Sequence, residues 1–333
     1  MADPGSPMGE RREIGGYFGL EPGRHGNNPH IAARALNSAR NCLLHVLLAR
    51  RPGRLYLPAY VCDSMLEPLR QAAVEHDFYN IDADLEIAAP PVLGRDECLL
   101  YVNYFGLKSD YCRRLAMQYG TALILDNSQA LYAPPSACAA TLYSPRKFCG
   151  VSDGGYLYCE APLDVALERD VSHDSVRHLV GRVDLGAPAF YADFCASEQR
   201  LSGRPLRRMS ALTEVLLNGI DHDHARRTRQ SNFRFLHAAL GPANRLRIDM
   251  AGVEGPMVYP FLASDPTLRR RLIAQKVYVA TYWQEVLQRR QASALERELA
   301  ELLVALPIDQ RYGRQEMQFI VEAIDGRAPV APR

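Results

Sequence analysis

The sequence predicts an α/β fold, with a mostly parallel sheet covered by helices and a smaller α+β domain after it. Over the first two-thirds of the chain, short apolar runs alternate with amphipathic stretches, which is typical of β-α-β units. After GPANR (241–245) the pattern changes to the short strands and helices of a compact tail. We therefore expect a disordered lead-in at 1–12, a large domain at 13–240 and a small domain at 241–333.

The elements of the large domain are predicted in chain order from their periodicity and end signals. Asn37 or Ser38 stands where the first helix would be capped, and Gly120 stands where a later helix would stop. The elements are a helix in ARNCLLHVLLARR (39–51), a strand in RLYLP (54–58), a helix in SMLEPLRQAA (64–73), an extended VEHDFYNID (74–82), a strand in ECLLYVNYFG (97–106), a helix in SDYCRRLAMQYG (109–120), a strand in TALILDNSQA (121–130), and one or two long helices over 206–240.

The tail is predicted to be a small α+β unit. Its strands are MVYPFL (257–262) and YVATYW (278–283), with the helix DPTLRRRLIAQK (265–276) between them and two further helices flanking LPIDQRYG (306–313). Because ligands gather at the carboxyl ends of parallel strands, the residues that follow the apolar runs of the large domain are candidates for a site. Asn103, Asp126 and the loop after Pro58 are such residues.

Composition excludes several classes of partner. The net charge is +1 and no basic block is paired with stacking aromatics, so we expect no nucleic acid. No apolar run approaches the ~20 residues of a membrane helix, so we expect no membrane segment. The eight cysteines are scattered without a CxxC pair, which favours thiols in a cytoplasmic protein. His222 and His224 are two residues apart in a predicted helix, so they lie on different faces. Side chains on different faces cannot bind the same metal ion, so we expect no metal site there.

Lys147 stands out because lysine is rare in this chain. Of 39 lysines and arginines, only Lys108, Lys147 and Lys276 are lysine, and Lys147 lies directly beside Arg146. An amine can lose its proton and form a Schiff base with a carbonyl, whereas a guanidinium stays protonated. An ordinary surface lysine is the alternative for Lys147 taken alone.

Asp126 adds to this pattern. It ends the apolar run ALILD, where a carboxylate needs a cationic or hydrogen-bonding partner. The protonated ring nitrogen of pyridoxal phosphate is one such partner, and a helix cap or a local turn is the alternative. Gln129 follows three residues later and a Ser-x-x-Lys, Ser144 to Lys147, lies about twenty residues beyond. The combination is more specific than any of its members.

Together these motifs resemble the DegT/DnrJ/EryC1/StrS family of pyridoxal-phosphate-dependent aminotransferases, many of which act on nucleotide-linked sugars. The likeness covers about residues 30 to 240 and extends only loosely into the tail. The segments that carry it are LDNSQA, SPRKFCGVSDGGYLY, LNSARNCLLHVLL, YLPAYVCDSMLEPL, VNYFGL and, more weakly, RRMSAL. The resemblance implies a fold-type-I aminotransferase, with a mostly parallel large domain and a smaller C-terminal α+β domain.

The resemblance also implies roles for individual residues. Lys147 would hold pyridoxal phosphate covalently and move protons, Asp126 would face the pyridine nitrogen, and Gln129 would contact the ring or its phenolic oxygen.

The phosphate would lie at the start of the first helix. Ser144 would contact a phosphate oxygen, and Ala39 and Arg40 would donate backbone N–H groups at a helix N-terminus, which favours anions. The alternative for NSARN is a plain helix cap.

The sequence departs from the family pattern in two places. Where family members stack an aromatic residue on the ring, this chain has Cys62, so Tyr60 or Tyr104 is the substitute we consider. Where members reach across the dimer with an asparagine, this chain has Leu206, with arginines after it.

The function implied is an aminotransferase that moves an amino group from an amino acid such as glutamate to a keto acceptor, a nucleotide-linked ketosugar of polysaccharide biosynthesis. A homodimer with its active site at the interface is implied with it. Three alternatives stay open: a lyase or eliminase on the same scaffold, a catalytically degenerate binding protein of this fold, and a nucleotide-binding doubly wound protein without pyridoxal phosphate. The missing Gly-rich fingerprint disfavours the last of these.

Overall fold

The computed structural model describes residue 17, residues 19–23 and residues 25–326, and the predicted lead-in at 1–12 lies outside them. Its main feature is a seven-stranded sheet in the order β1-β7-β6-β5-β4-β2-β3. The strands are β1 (Arg34–Leu36), β2 (Arg54–Pro58), β3 (Glu75–Tyr79), β4 (Glu97–Val102), β5 (Leu123–Asp126), β6 (Ala140–Tyr143) and β7 (Gly155–Cys159). Strands β2 to β6 pair in parallel, whereas β7 runs antiparallel to both β6 and β1. The predicted mostly parallel α/β fold is confirmed.

Helices lie between the strands as the periodicity predicts. They are α1 (Ala39–Arg50), α2 (Leu66–Ala72) and α3 (Ser109–Tyr119). Ser38 caps α1 by accepting the Asn41 amide, and Gly120 ends α3. All four residues of β5 and of β6 are buried, as expected of central parallel strands that are covered on both faces. The apolar runs of the sequence are therefore the middle of the sheet.

Four helices follow the sheet. They are α4 (Arg177–Leu185), α5 (Tyr191–Gln199), α6 (Ala211–Asn218) and α7 (His222–Leu240). The region predicted to be one or two helices over 206–240 is two, and the first begins at Ala211 because Ser210 caps it. The 19-residue helix α7 leads from the large sheet into the tail.

The tail has its own hydrophobic core around a two-stranded antiparallel sheet. Its elements are β8 (Tyr259–Leu262), α8 (Leu268–Ala274), α9 (Ala294–Leu302), β9 (Leu303–Leu306) and α10 (Arg314–Asp325). Phe233, Leu236 and Leu240 of α7 belong to this second core, so the end of α7 packs with the tail rather than with the large sheet.

The prediction of a strand at YVATYW (278–283) is wrong. Only one isolated bridge, Ala280 to Ala305, forms in this segment, and Trp283 adopts a left-handed backbone conformation with φ of 55°. That turn carries the indole into contact with Tyr60 and Tyr104 in the main core, which an extended segment would not do. Trp283 is thus a core residue of a loop, whereas Tyr278 is 51% exposed. Separately, none of the helices in the described ranges is both long enough and apolar enough to cross a membrane.

Candidate functional site

The candidate site lies at one edge of the large sheet, where several strands end. β5 ends at Asp126, β6 is followed by Ser144 and Lys147, and β1 is followed by Ser38 at the start of α1. Asp126 is in register with Val102, the last residue of β4, and with Leu142 in β6. Because these strands are parallel, their carboxyl ends meet at the same edge, as predicted.

Asp126 is a buried carboxylate that accepts a single hydrogen bond from the residues that the structure describes. It is 4% exposed, and its Oδ1 accepts from the Ser128 amide at 2.8 Å. No lysine, arginine or histidine of the described ranges lies within ion-pair distance of it. A buried carboxylate is stable only when a cation or several donors compensate for its lost hydration. Asp126 can therefore accept a further hydrogen bond from a cationic or N–H group of a ligand.

Gln129 likewise has a buried side-chain atom without a hydrogen-bond partner. It is 1% exposed, and its Oε1 accepts from the Phe105 amide at 2.7 Å, which fixes the side chain. The same bond identifies Nε2 as the donor end, and Nε2 is buried with no acceptor. Leaving a buried N–H unpaired costs about 1–3 kcal/mol. A ligand oxygen at this position would recover that free energy.

Lys147 closes a short 3₁₀ turn, Pro145–Lys147, and is exposed in the single chain. Its ammonium makes no hydrogen bond or ion pair with any residue that the structure describes. Arg146 points elsewhere: its guanidinium pairs with Glu198 of α5 and donates to the Ser152 carbonyl at 3.1 Å. Burial lowers the pKa of Arg146. The two neighbouring cations are therefore separated, and only the amine is available for chemistry.

The start of α1 is held against the sheet by a glycine. A Cβ at Gly155 would lie 2.5 Å from the Ser38 carbonyl carbon and 2.7 Å from the Ala39 nitrogen, so only glycine allows this approach. Ala39 and Arg40 are the first two residues of the helix, as predicted. The Arg40 side chain lies 3.4 Å from Glu67, and the buried Ser144 hydroxyl has no hydrogen-bond partner in the described chain.

Tyr60 lies away from solvent, in an aromatic cluster. Its ring is fully buried, 5.7 Å from Tyr104 and 4.6 Å from Trp283, and its hydroxyl has no hydrogen-bond partner. Tyr104 is also fully buried and donates to the Tyr60 carbonyl at 2.9 Å. Stacking of either tyrosine on a ligand ring stays a prediction, since neither ring is accessible in the isolated chain.

Three residues near the site were missed in the sequence. Arg289 donates to the carbonyls of Ala59 and Val61, in the turn that follows β2. Arg229 and Gln310 both donate to the carbonyl of Phe148, the residue after Lys147. Among 36 arginines no sequence signal distinguishes the buried ones, and each of these contacts joins residues far apart in the chain.

Other features of the surface lie apart from this site. A depression of about 960 Å³ occurs at the opposite edge of the sheet, near Thr121, Pro135 and Glu160. Within the described ranges no group of three or more His, Cys, Asp or Glu side chains is placed to hold a metal ion. The candidate chemistry thus resides at the edge where the strands end.

Sequence comparisons find no relative: neither a family model nor a curated protein matches. Comparison of the fold does find similar solved structures. The sugar aminotransferase CalS13 from Micromonospora echinospora is 15% identical with a TM-score of 0.61, over 92% of this chain and 93% of that one. A DegT DnrJ EryC1 StrS aminotransferase from Brucella abortus is 14% identical with a TM-score of 0.60, over 90% and 87%.

A third similar structure is Spr1654 from Streptococcus pneumoniae in its PLP form. It is 12% identical with a TM-score of 0.63, over 90% of this chain and 88% of that one. Likeness at this identity concerns the fold, which spans nearly the whole of each chain. The resemblance noted in the sequence is thereby confirmed as a shared fold.

Proposed function

We propose that this chain is a pyridoxal-phosphate-dependent aminotransferase. It takes an amino group from an amino acid such as glutamate and transfers it to a keto acceptor, a nucleotide-linked ketosugar. One observation carries the proposal: the buried carboxylate of Asp126, which has no cation in the described chain, lies at the same sheet edge as the unpaired amine of Lys147.

The unsatisfied donors and acceptors at this edge match the groups on the ring of pyridoxal phosphate. Asp126 would accept from the protonated ring nitrogen, and the orphaned Nε2 of Gln129 would donate to the phenolic oxygen. Lys147 would bind the aldehyde carbon. Each group on the ring therefore has a partner whose own hydrogen bonding is incomplete without it.

The phosphate of the cofactor would lie at the start of α1. The free Ser144 hydroxyl would donate to one phosphate oxygen. The backbone N–H groups of the first helical turn, at Ala39 and Arg40, favour an anion through the helix dipole. The Arg40 guanidinium, which is shared with Glu67, adds positive charge nearby.

When bound, the cofactor supplies a carbonyl that accepts the donor's amino group and a ring that withdraws electrons from the substrate Cα. The protein's part is to keep the ring nitrogen protonated, which an ionised Asp126 favours. The Nζ of Lys147 would move a proton at the substrate Cα. Arginine could do neither task of Lys147, because its guanidinium does not lose its proton.

A homodimer with the site at the interface belongs to the same proposal. Helices α4 and α5 expose apolar side chains that a soluble surface seldom groups together. They are Val180, Val183, Leu185, Tyr191 and Phe194. These helices are tied to the Lys147 turn through the Arg146–Glu198 pair. A second copy seated on this surface would cover the exposed amine. We place the enzyme in the cytoplasm, where its eight free thiols would stay reduced.

A degenerate binding protein is the second candidate, and a specific observation favours it. Arg207, which follows the position of the expected partner-subunit asparagine, pairs with Glu168 of its own chain at 3.0 Å. Arg207 is therefore already engaged within its own chain, rather than free to take the place of the asparagine.

Borohydride trapping tests the proposal directly. The purified chain is mixed with pyridoxal phosphate, reduced, digested and mapped by mass. We expect one adduct on Lys147, and Lys108 and Lys276 serve as internal controls for surface labelling. Glutamate added before reduction should prevent the adduct and yield 2-oxoglutarate. An adduct that survives glutamate favours a lyase or a binding protein, and no adduct on Lys147 refutes the proposal.

A further inference from the structure

Arg229 is a buried arginine whose charge is not matched by an acid. It lies on α7, is 2% exposed, and has no carboxylate within ion-pair distance among the described residues. Its guanidinium instead donates hydrogen bonds to three backbone carbonyls and one side-chain amide oxygen. Burial lowers the pKa of Arg229. Burying an unpaired cation is costly, so the groups that Arg229 contacts indicate why it is there.

One branch of the guanidinium holds the turn that carries Lys147. Nη2 donates to the Phe148 carbonyl at 3.2 Å, and the guanidinium carbon lies 4.6 Å from the centre of the Phe148 ring. Gln310 Nε2 donates to the same carbonyl at 2.9 Å, while Gln310 Oε1 accepts from Arg229 Nε at 3.0 Å. The peptide group that follows Lys147 is thus fixed by two donors that also bind each other.

The other branch of the guanidinium is linked to the segment that holds Gln129. Nη1 donates to the Met257 carbonyl at 2.9 Å and to the Pro256 carbonyl at 3.3 Å. The Met257 amide in turn donates to the Phe105 carbonyl at 3.0 Å. The Phe105 amide is the donor that fixes Gln129, at 2.7 Å. A continuous series of hydrogen bonds therefore runs from Gln129 to the residue after Lys147, with one guanidinium in the middle.

We infer that Arg229 is a positioning residue that sets the distance between the Lys147 amine and the Gln129 amide. The inference deepens the proposed function and rests on it for the identity of the ligand between them. A guanidinium suits this role because its planar fork donates in three directions at once. A lysine ammonium could satisfy the Phe148 branch or the Met257 branch, not both. Arg229 touches no reacting atom and acts through the backbone.

The test compares Arg229→Met, Arg229→Lys and Gln310→Met in the full-length chain. Phe233→Leu is the matched control, because Phe233 lies one turn along α7 and packs in the second core without touching the Lys147 turn. The first readout is amide hydrogen exchange without ligand, in peptides covering 144–150 and 103–106. The second is the rate at which pyridoxal phosphate becomes trapped on Lys147 under borohydride, measured well below each variant's unfolding temperature.

We expect about tenfold faster exchange in both peptides and about tenfold slower trapping for Arg229→Met, the loss typical of a hydrogen bond to a charged group. Arg229→Lys should not restore the wild-type rates. Gln310→Met, which keeps the arginine, should affect 144–150 but not 103–106. Wild-type exchange in both peptides, or the same acceleration in Phe233→Leu, would overturn the inference.

The two proposals fail separately. If the wild-type chain traps no pyridoxal phosphate, the proposed function fails, and the exchange measurement still decides the role of Arg229. If Arg229→Met does not fold, Arg229→Lys and Gln310→Met decide it. If trapping is normal in all variants while exchange rises, the arginine serves stability alone and the positioning role is rejected.

Discussion

Arg146 and Lys147 are neighbours in the chain, yet their cationic groups have separate surroundings. The Arg146 guanidinium is buried against Glu198 of α5, whereas the Lys147 ammonium is exposed and has no partner in the described chain. Under the proposed function, this difference explains why a chain with 36 arginines has a lysine here. A fixed ion pair suits the planar guanidinium, and a group that must lose its proton requires the amine.

Replacing Lys147 should abolish trapping without changing stability. Because its side chain is exposed and unpaired, Lys147→Ala should alter the free energy of unfolding by no more than about 0.5 kcal/mol. Borohydride trapping should be lost in Lys147→Ala and in Lys147→Arg alike, since neither has a reactive amine. Lys276→Arg is the control, because Lys276 is also exposed, and it should behave as the wild type. Residual labelling at another lysine would contradict a dedicated site.

Replacing Asp126 should weaken cofactor binding while leaving the free protein intact. In Asp126→Asn the side-chain oxygen can still accept from the Ser128 amide, and a buried carboxylate without a cation is removed. The free energy of unfolding of the ligand-free variant should therefore be at least that of the wild type. Binding of pyridoxal phosphate should weaken by about ten- to a hundredfold, as a charged hydrogen bond is lost. Titration calorimetry measures this. Exposed Asp164→Asn is the control, and equal weakening there would argue against a ring-nitrogen contact.

Gly155 should tolerate no side chain. In Gly155→Ala the new methyl carbon meets the backbone of Ser38, so the start of α1 must move. Overpacking of this kind costs about 1–3 kcal/mol, and phosphate affinity should fall together with stability. Gly53→Ala is the control, since a Cβ there would meet only the Asp96 carbonyl at 3.7 Å. Chemical unfolding and phosphate competition measure both effects, and a neutral Gly155→Ala would show that α1 is not fixed by this contact.

The site was predictable from sequence where a strand places a residue directly. Asp126 ends the short, fully buried strand β5, which appears in the sequence as an apolar run whose end is easy to find. Lys147 follows β6, a strand that was not predicted, and was singled out by the rarity of lysine and by the resemblance. The short edge strand β1 was not predicted, because only Leu36 of its three residues is buried. YVATYW was misjudged because a loop buries Val279 and Trp283, as a strand would bury its apolar residues.

Residues that act through distant contacts left no trace in the sequence. Arg229 and Phe148 are 81 positions apart, as are Arg229 and Gln310, and the hydrogen bonds between them form only in the folded chain. Among the arginines that the structure describes, burial distinguishes Arg229 and Arg289 from the rest. Periodicity reports which face of an element is apolar, and it does not report which polar side chain crosses between elements.

The apolar surface of α4 and α5 should mediate dimer formation. Val183 is 85% exposed, so Val183→Asp should leave the fold of the single chain unchanged while placing a charge in the proposed interface. We expect a shift from dimer to monomer in sedimentation velocity, because a buried unpaired charge opposes association. Val92→Asp is the control, since Val92 is 93% exposed and lies on a loop. A Val183→Asp variant that sediments as the wild type would remove this surface from the proposal.

His45 should make the fold sensitive to acid. It is fully buried in α1, and its Nε2 accepts from the Leu163 amide at 2.8 Å, so the ring is neutral with its proton on Nδ1. Burial, with a smaller effect from Arg34, lowers its pKa from 6.5 to about 4. Between these values the unfolded chain binds a proton that the folded chain does not, so stability is full above pH 6.5 and falls as the pH falls.

The size of this effect can be isolated by substitution. At pH 5 the lost stability should be about 2 kcal/mol for this histidine. His45→Gln keeps an acceptor for Leu163 but cannot titrate, so its stability should fall less steeply between pH 7 and pH 5. Exposed His224→Gln should leave the slope unchanged. Urea unfolding at a series of pH values measures the slope, and equal slopes for wild type and His45→Gln would mean that His45 is not held neutral by the fold.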